Sequence, residues 1–205
     1  MSKASDARRN ALYEIILNEG RVRVGDLARA LDVTTETIRK DLKVLEDRGV
    51  LIKKHGSATV RNAYYQLPFD VKLQENTVQK QWIARKALDF IQDDSIVYLD
   101  PGSTCLQLAK LLRLKKNITV LTNSLPIGDI ICDSGLELIM AGGKLQKKGR
   151  AFIGYYTTNV IDSIRIDIAF LGCDGFQDMD GPMTFSMEHA EINRHILRQS
   201  RKSIL

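Results

Sequence analysis

Residues 33–45 of the chain read VTTETIRKDLKVL, and this stretch decides the fold of the first part of the molecule. Ile38, Leu42 and Leu45 follow one another at steps of four and three residues, which is the spacing of one apolar face of a helix. Hydroxyl-bearing and cationic side chains fall away from that face: Thr35, Thr37, Arg39, Lys40 and Lys43. The stretch therefore predicts a helix with a polar and basic outer surface.

Two further helices are predicted before this one. The first has an apolar face formed by Leu12, Ile15 and Ile16. The second runs from about residue 24 to residue 31. Thr34 or Thr35 can then cap the third helix, because a hydroxyl oxygen accepts a hydrogen bond from a backbone N–H of the first turn. Two short helices joined by a tight turn predict a helix-turn-helix.

A basic hairpin is predicted after the third helix. Apolar runs at 50–52 and 58–60 flank the segment Lys53-Lys54-His55-Gly56-Ser57, and two such runs around a Gly turn predict a β-hairpin. Surface cations alone are usually only solvated. A hydroxyl-rich helix followed by a hairpin with Lys53, Lys54 and His55 at its tip instead indicates a winged helix that binds double-stranded DNA. Residues 1–58 are therefore predicted to be a DNA-binding domain, rich in α-helix.

The pattern of apolar residues changes in the rest of the chain. Residues 59–78 are predicted to be a linker, because the apolar residues between 59 and 73 keep neither a helical nor a strand period. Strands are then predicted at 96–99, 118–121, 138–141 and 166–171, and helices at 82–91, 105–112 and 125–132. The helix at 82–91 is predicted to turn inward Ile83, Ala84, Ala87, Leu88 and Ile91. Apolar strands separated by helices predict an α/β domain with a mainly parallel sheet over residues 79–205.

Small and polar residues follow the predicted strands. One such loop is explained by a capped helix, but the loops after parallel strands share one edge of the sheet, where α/β folds bind ligands. A glycine turn before a helix presents N–H groups suited to a phosphate. Asp100 would repel a phosphate in contact, so we assign it a sugar hydroxyl. The predicted ligand residues of these loops are Asp100, Gly102, Ser103, Thr104, Thr122, Asn123, Gly142, Gly143, Asp174 and Gly175.

The composition excludes several classes of protein. With 44% hydrophobic residues, 27% charged residues and a net charge of +5, the chain has the composition of an ordinary folded protein. No apolar stretch approaches the roughly 18 residues of a membrane span, and the first residues do not resemble a secretory signal. Cys105, Cys132 and Cys173 are widely spaced, which argues against disulfides and a zinc site. The sequence predicts a cytoplasmic protein with no metal, no cofactor and no membrane partner.

The first domain carries a specific resemblance. The run Leu27-Ala28-x-x-Leu31-x-Val33-Thr34-x-x-Thr37-Ile38-Arg39-Lys40-Asp41-Leu42-x-x-Leu45, followed by His55-Gly56-Ser57-Ala58, resembles the winged helix of the DeoR family of bacterial transcriptional regulators. Members commonly show Thr-Ile-Arg-Arg-Asp-Leu and then His-Gly-Gly-Ala. This chain therefore has Lys40 in place of an arginine and Ser57 in place of a glycine. Arg23 stands where members often have a Ser or Thr that caps the second helix.

The resemblance extends to the second domain. It is carried by Leu99-Asp100-x-Gly102-Ser103-Thr104, Thr122-Asn123-Ser124, Ala141-Gly142-Gly143 and Ala190-Glu191. It implies a sensor domain that is similar in fold to phosphosugar isomerases and binds a phosphorylated sugar as effector, and it adds Glu191 to the ligand residues. Asn193 stands where many members have Lys. Members continue into a further strand and an Asp-Ser-Ser-Lys-Phe motif, so the resemblance also implies that the chain is truncated at its C-terminus.

The function that the resemblance implies is regulation of transcription. The chain is expected to be a sequence-specific regulator, in the first place a repressor of a sugar-metabolism operon, that works as a homo-oligomer. A phosphorylated sugar would bind one arrangement of the sensor domain better and thereby change the spacing of two DNA-binding heads. The alternative is a phosphosugar isomerase-like enzyme with a DNA-binding appendage, in which Asp100, Asp174 or Glu191 would supply a base.

Overall fold

The computed structural model of the chain describes residues 3–19, 21–48, 50–54, 56–60, 69–177 and 181–205. The chain divides into two compact units, Met1–Glu75 and Asn76–Leu205. Each unit has its own apolar core. We therefore describe the units one at a time.

The first unit is a helical domain with a small antiparallel sheet. Its elements are α1 (Lys3–Glu19), β1 (Arg21–Arg23), α2 (Val24–Ala30), α3 (Thr35–Asp47), β2 (Leu51–Lys54), β3 (Ser57–Val60) and α4 (Phe69–Gln74). The strand order is β1-β3-β2, and β2 and β3 form the predicted hairpin. This arrangement confirms the winged helix-turn-helix.

Helix α3 begins and packs as its sequence predicts. The Thr34 hydroxyl caps the helix and accepts a hydrogen bond from the Thr37 backbone N–H at 3.2 Å. Ile38, Leu42 and Leu45 are all buried. They pack in a core whose other members include Leu12, Ile16 and Leu27 from the two preceding helices. The apolar spacing in the sequence therefore identified the inner face of α3.

Two expectations for the first unit need correction. The strand β1 was not predicted; its three residues are too few for a sequence period to be visible, and it forms by pairing with β3. The stretch from 59 to 73 is not irregular throughout, because Phe69–Gln74 form α4, whereas Thr59 and Val60 belong to β3, as the predicted hairpin requires. Residues 61–68, in the middle of the predicted linker, lie outside the described residues.

The second unit contains a parallel sheet flanked by helices. Its elements are α5 (Thr77–Leu88), β4 (Ile96–Leu99), α6 (Ser103–Leu111), a 3-10 turn (Leu112–Leu114), β5 (Thr119–Thr122), α7 (Leu125–Cys132), β6 (Glu137–Met140), β7 (Lys144–Gln146), β8 (Ala151–Ile153), α8 (Tyr155–Asp162), β9 (Ile166–Phe170), β10 (Gly175–Gln177), β11 (Gly181–Met183), α9 (Met187–Gln199) and β12 (Ser200–Ile204). The main sheet has the order β12-β9-β4-β5-β6, with every neighbouring pair parallel.

The parallel sheet confirms the predicted fold class. The structure also contains small strand pairs, and helix bounds, that differ from those predicted. The small antiparallel pairs β7–β8 and β10–β11 were not predicted, because each strand has only three residues. The helix predicted at 82–91 spans Thr77–Leu88 instead. Ile83 is 46% exposed, contrary to expectation, and Ile91 is buried but lies beyond the end of the helix. This helix therefore presents apolar side chains on more than its inner face.

Candidate functional site

The outer face of α3 carries the side chains that the sequence assigned to it. Thr35, Arg39, Lys40 and Lys43 are exposed, and Thr37 is half-buried. The Thr37 hydroxyl lies 3.0 Å from the Thr34 hydroxyl, so it is already part of the helix cap. The face therefore combines three cations with two threonines beside a fixed helix start.

The cations of α3 differ in how their charge is compensated. The Lys40 ammonium lies 2.9 Å from the Glu36 carboxylate, and this contact raises the pKa of Lys40 and lowers that of Glu36. Among the described residues, Arg39 and Lys43 form no ion pair or hydrogen bond with a carboxylate, although the charge of Arg39 also helps to lower the pKa of Glu36. Arg39 and Lys43 therefore leave their charge available to an anionic partner, whereas Lys40 shares its charge with Glu36.

A buried ion cluster fixes α3 to α1. Asp41 is only 3% exposed. Its carboxylate accepts hydrogen bonds from the Arg8 Nε at 2.6 Å and from the Arg9 Nε at 3.0 Å. Arg9 also donates to Asp6 at 2.8 Å. Asp41 follows Arg39 and Lys40 directly in the sequence, so the inner side of α3 is anchored where its outer side is most basic.

The hairpin turn is built around Gly56. Gly56 has φ +68°, a left-handed conformation that glycine adopts without strain. Its carbonyl accepts a hydrogen bond from the Val24 N–H at 3.1 Å, which ties the hairpin to the start of α2. Ser57, the departure from the family pattern, begins β3 and is buried. The backbone of Lys53 and Lys54 lies in β2, and the predicted contact residue His55 lies outside the described residues.

The loops of the second unit meet at one edge, as predicted. Strands β9, β4, β5 and β6 are parallel neighbours, so the loops that follow them lie side by side; we call this the strand-end edge. The Asp100 carboxylate accepts a hydrogen bond from the Gly172 N–H at 3.0 Å, and the Asp100 N–H donates to the Phe170 carbonyl at 3.0 Å. Asp100 thus joins the loops after β4 and β9.

The side chains of Asn123 and Thr122 are buried and are not exposed at the strand-end edge. The Asn123 side chain accepts a hydrogen bond from the Tyr98 hydroxyl at 2.8 Å and donates to the Phe152 carbonyl at 2.8 Å. The Thr122 hydroxyl donates to the Leu99 carbonyl at 2.7 Å and accepts from the Ser124 N–H at 3.1 Å. Both side chains therefore hold the strand-end edge together.

Tyr98 was missed by the sequence analysis, although it underlies this edge. Its side chain is fully buried, and burial, followed by the nearby Asp100 carboxylate, raises the pKa of Tyr98 well above its ordinary value. The only signal in the sequence is a hydroxyl-bearing aromatic residue inside an apolar strand. Such a residue needs a polar partner when it is buried, and that partner is Asn123.

The glycine pair after β6 packs against α8. The Thr157 hydroxyl donates a hydrogen bond to the Gly142 carbonyl at 2.9 Å. A Cβ added at Gly143 would come within 2.6 Å of the Thr157 hydroxyl oxygen and 2.8 Å of the Ile153 carbonyl oxygen. Glycine is therefore required at 143 for close packing. Thr157, which is buried, is a second residue of this edge that the sequence analysis missed.

The remaining predicted ligand residues lie in three places. Gly102 is the N-cap of α6, Ser103 is buried in its first turn, and Thr104 is half-buried beside it. Asp174 accepts hydrogen bonds from the Thr184 hydroxyl at 3.0 Å and the Phe185 N–H at 3.2 Å, and Gly175 begins β10. Glu191 is exposed on α9 and makes no hydrogen bond to the strand-end edge within the described ranges.

The described residues form neither a metal-binding cluster nor a membrane-spanning helix. Within the described parts of the chain, no three His, Cys, Asp or Glu side chains form a group that could hold a metal ion. No helix of the same residues is sufficiently long and apolar to cross a membrane.

Comparison with protein families assigns both units. Residues 8–63 match the DeoR-like helix-turn-helix domain, and residues 75–205 match the DeoR C terminal sensor domain. The chain belongs to the DeoR family. Like the other members, it is a DNA-binding transcriptional regulator. Because the members of this family are regulators, such as a glycerol-3-phosphate regulon repressor, the alternative of an isomerase-like enzyme is not supported.

Several DeoR regulators are similar in sequence to almost the whole of this chain. The L-fucose operon activator of Escherichia coli K12 is 30% identical over 97% of this chain and 83% of its own length. The glycerol-3-phosphate regulon repressor of the same organism is 27% identical over 97% and 79%. The lactose phosphotransferase system repressor of Staphylococcus epidermidis is 29% identical over 97% and 80%.

A solved structure of ribose 5-phosphate isomerase A from Methanocaldococcus jannaschii matches 63% of this chain and 51% of its own. The identity is 14% and the TM-score is 0.46. The family assignment does not depend on this match.

Proposed function

We propose that the chain binds a double-stranded DNA operator of a sugar-metabolism operon and that a phosphorylated sugar, bound at the strand-end edge, controls this binding. The observation that carries the proposal is the outer face of α3, where Arg39 and Lys43 are exposed without a carboxylate partner among the described residues. The relatives are named for operons or regulons of L-fucose, glycerol-3-phosphate and the lactose phosphotransferase system, which supports a sugar or a sugar phosphate as the signal.

The proposed DNA contacts divide into two kinds. Thr35, Thr37, Arg39, Lys40 and Lys43 enter the major groove on α3, where arginine can donate two hydrogen bonds to a guanine edge. Lys53, Lys54 and His55 contact phosphates or the minor groove from the hairpin. The ion pair with Glu36 implies that Lys40 contributes less to DNA affinity than Arg39 does.

The proposed sugar-phosphate site uses the exposed part of the strand-end edge. The first turn of α6 offers the N–H groups of Ser103 and Thr104 to a phosphate. Asp100 accepts hydrogen bonds from sugar hydroxyls. Gly142, where an added Cβ would meet no atom within 4 Å, allows close approach of the ligand, and Gly143 supports this loop by packing against α8. Because Thr122 and Asn123 are bonded inside the unit, we assign them the role of positioning the loops. Asp174, Gly175 and Glu191 complete the proposed set.

Control arises through linkage between the two binding events. A homo-oligomer in the cytoplasm would present two winged helices to two operator half-sites. The sugar phosphate binds one arrangement of the sensor domains more tightly and so changes the spacing of the heads. In the proposed repressor, the ligand-free form binds the operator and the sugar phosphate releases it.

The proposal is tested with a duplex selected by the protein from a random-sequence pool. Thermal unfolding is followed with glycerol 3-phosphate, glucose 6-phosphate and fructose 6-phosphate, and with glucose and inorganic phosphate as controls. A ligand at one hundred times its Kd adds about 2.7 kcal/mol to the stability of the native state. The proposal expects one sugar phosphate to raise the Tm and to change affinity for the selected duplex. Failure to select any duplex would contradict the DNA part, and an unchanged Tm with every sugar phosphate would contradict the ligand part.

A further inference from the structure

Strand β1 carries two arginines on one face of the sheet of the first unit. Arg21 and Arg23 are exposed, whereas Val22 between them is buried. Because successive side chains of a strand point to opposite faces, both guanidinium groups lie on the outer face. This strand was not predicted from the sequence, and its arginines belong neither to the recognition helix nor to the predicted hairpin tip.

Contacts with the hairpin hold this face in place. Arg23 pairs with Ser57 across the sheet, and Ser57 pairs with Lys54 on its other side. The Arg21 Nε donates a hydrogen bond to the Ser57 hydroxyl at 3.0 Å. Arg21, Arg23, Gly56 and Ser57 line a concave surface. The two arginines therefore form a preformed surface beside the turn of the hairpin.

The charge on this face is uncompensated, unlike that of other cations of the unit. Arg8 and Arg9 are paired with Asp41, Arg29 is paired with Asp26, and Lys40 is paired with Glu36. Within the described residues, neither Arg21 nor Arg23 has a carboxylate partner. Two adjacent unpaired guanidinium groups repel each other, so the face is suited to an anion that bridges them.

The position of Arg23 is unfavourable for local structure. Arg23 is the N-cap of α2, and its side chain makes no capping hydrogen bond. Ser, Thr, Asp or Asn at an N-cap would satisfy a free backbone N–H of the first turn. The Arg23 side chain therefore adds no capping hydrogen bond to the start of α2, and its charge is left exposed.

We propose that Arg21 and Arg23 form a separate DNA contact, which binds phosphodiester oxygens of the same duplex that α3 reads. The planar guanidinium group donates paired hydrogen bonds that match phosphate geometry. The inference rests on the proposed function, because it requires that the first unit binds DNA. It adds a contact that is independent of base sequence, since phosphates carry no sequence information directly.

The test compares the salt dependence of DNA affinity for the full chain and its variants. The slope of log K against log salt concentration is negative, and each lost phosphate contact reduces its magnitude by about 0.9. Arg23→Ser and Arg21→Gln should each reduce the slope by that amount, and the double variant by about 1.8. The selected duplex and a scrambled duplex should lose affinity by the same factor. Arg21→Lys, which keeps the charge, should retain the slope.

Two controls separate a lost contact from a damaged protein. Arg113→Ser removes an exposed arginine of the second unit and should leave the slope unchanged. Arg23→Ser introduces a capping hydroxyl, so its Tm should equal or exceed that of the unchanged protein while its DNA affinity falls.

The outcomes distinguish this inference from the proposed function. If the slope of the double variant equals that of Arg113→Ser while Arg39→Ala loses its preference for the selected duplex, the β1 contact is refuted and the function stands. If Arg39→Ala also keeps its preference, the assignment of α3 as the DNA reader is refuted as well.

Discussion

The two units differ in how far the polar side chains of their candidate sites are exposed. In the first unit, Arg39 and Lys43 on α3 are exposed and lack a carboxylate partner among the described residues. In the second unit, Thr122 at the end of β5 and the following Asn123 and Ser124 are at most 1% exposed. The charged surface of the first unit is therefore available to a large anionic partner. The polar residues of the second unit instead form a rigid frame.

This difference suits the two kinds of ligand. Duplex DNA is wide, and its phosphates are contacted by cations that project from the protein surface. A small ligand needs donors and acceptors that are held in fixed positions by their neighbours. The Tyr98–Asn123–Phe152 and Asp100–Gly172 contacts supply that fixing at the strand-end edge.

The largest effect on stability is expected at Asp41, because this charged residue of the first unit is buried. Asp41→Ala leaves Arg8 and Arg9 without the buried carboxylate that pairs with both. Breaking a buried pair in this way should lower the free energy of unfolding by about 3 to 5 kcal/mol. Urea unfolding of the full chain measures the loss in the transition of the first unit. A change below 1 kcal/mol would show that the cluster is not a structural anchor.

The recognition helix should show its effect in binding rather than stability. Arg39→Ala removes an exposed side chain, so we expect the folded state to be unaffected while specific DNA affinity falls by about 1 to 3 kcal/mol. Thr37→Ala should fall in the same range if its hydroxyl contacts a base edge. Titration of the selected and scrambled duplexes measures both. Unchanged discrimination in a folded Arg39→Ala protein would contradict the assignment of α3.

The frame of the second unit is tested by removing one hydroxyl. Tyr98→Phe keeps the ring but leaves the Asn123 carbonyl oxygen without its donor. A buried acceptor that loses its partner should destabilise the unit by about 1 to 3 kcal/mol. Tyr155→Phe, which removes a hydroxyl from an exposed ring, is the matched control and should leave the unfolding transition unchanged. Equal stability of the two variants would show that the buried contact does not support the edge.

The smallest effect is expected at the exposed pair of Glu36 and Lys40. The Lys40 contact lowers the pKa of Glu36 from its ordinary value of 4.5. The pair therefore contributes its small stabilisation above that value, and the contribution is lost as pH falls through the lowered pKa of the folded state. Glu36→Gln should be slightly less stable than the unchanged protein at pH 7 and equally stable in acid. It should also bind both duplexes more tightly, because the charge of Lys40 is then no longer shared with a carboxylate.

The sequence predicted the helices better than the loops, for a physical reason. A helix has a fixed period, so Ile38, Leu42 and Leu45 revealed which side of α3 faces the core and hence which side is exposed. Loops have no period. Nothing in Thr122-Asn123-Ser124 indicates whether a hydroxyl faces a ligand or a neighbouring carbonyl. The strand ends could be placed at one edge from the topology alone. The contacts of Asn123 with Tyr98 and Phe152, and that of Thr122 with Leu99, join residues that are distant in sequence.

Short strands were also invisible in the sequence. Strand β1 has only three residues. Arg21-Val22-Arg23 alternates as a strand does, but so short an alternation can be recognised as a strand only when its pairing with β3 is known. In the sequence, Arg23 stands out only as a departure from a capping pattern, and Arg21 carries no signal of its own. The pairing of β1 with β3 shows that Arg21 and Arg23 lie on one face of the sheet.

Control of DNA binding by a ligand at the strand-end edge is tested most directly by one titration. Affinity for the selected duplex is measured with and without the stabilising sugar phosphate, for the unchanged protein and for Asp100→Ala. We predict that the sugar phosphate weakens binding by the unchanged protein, and that Asp100→Ala binds the duplex equally well but no longer responds. An Asp100→Ala protein that responds as the unchanged protein does would contradict the claim.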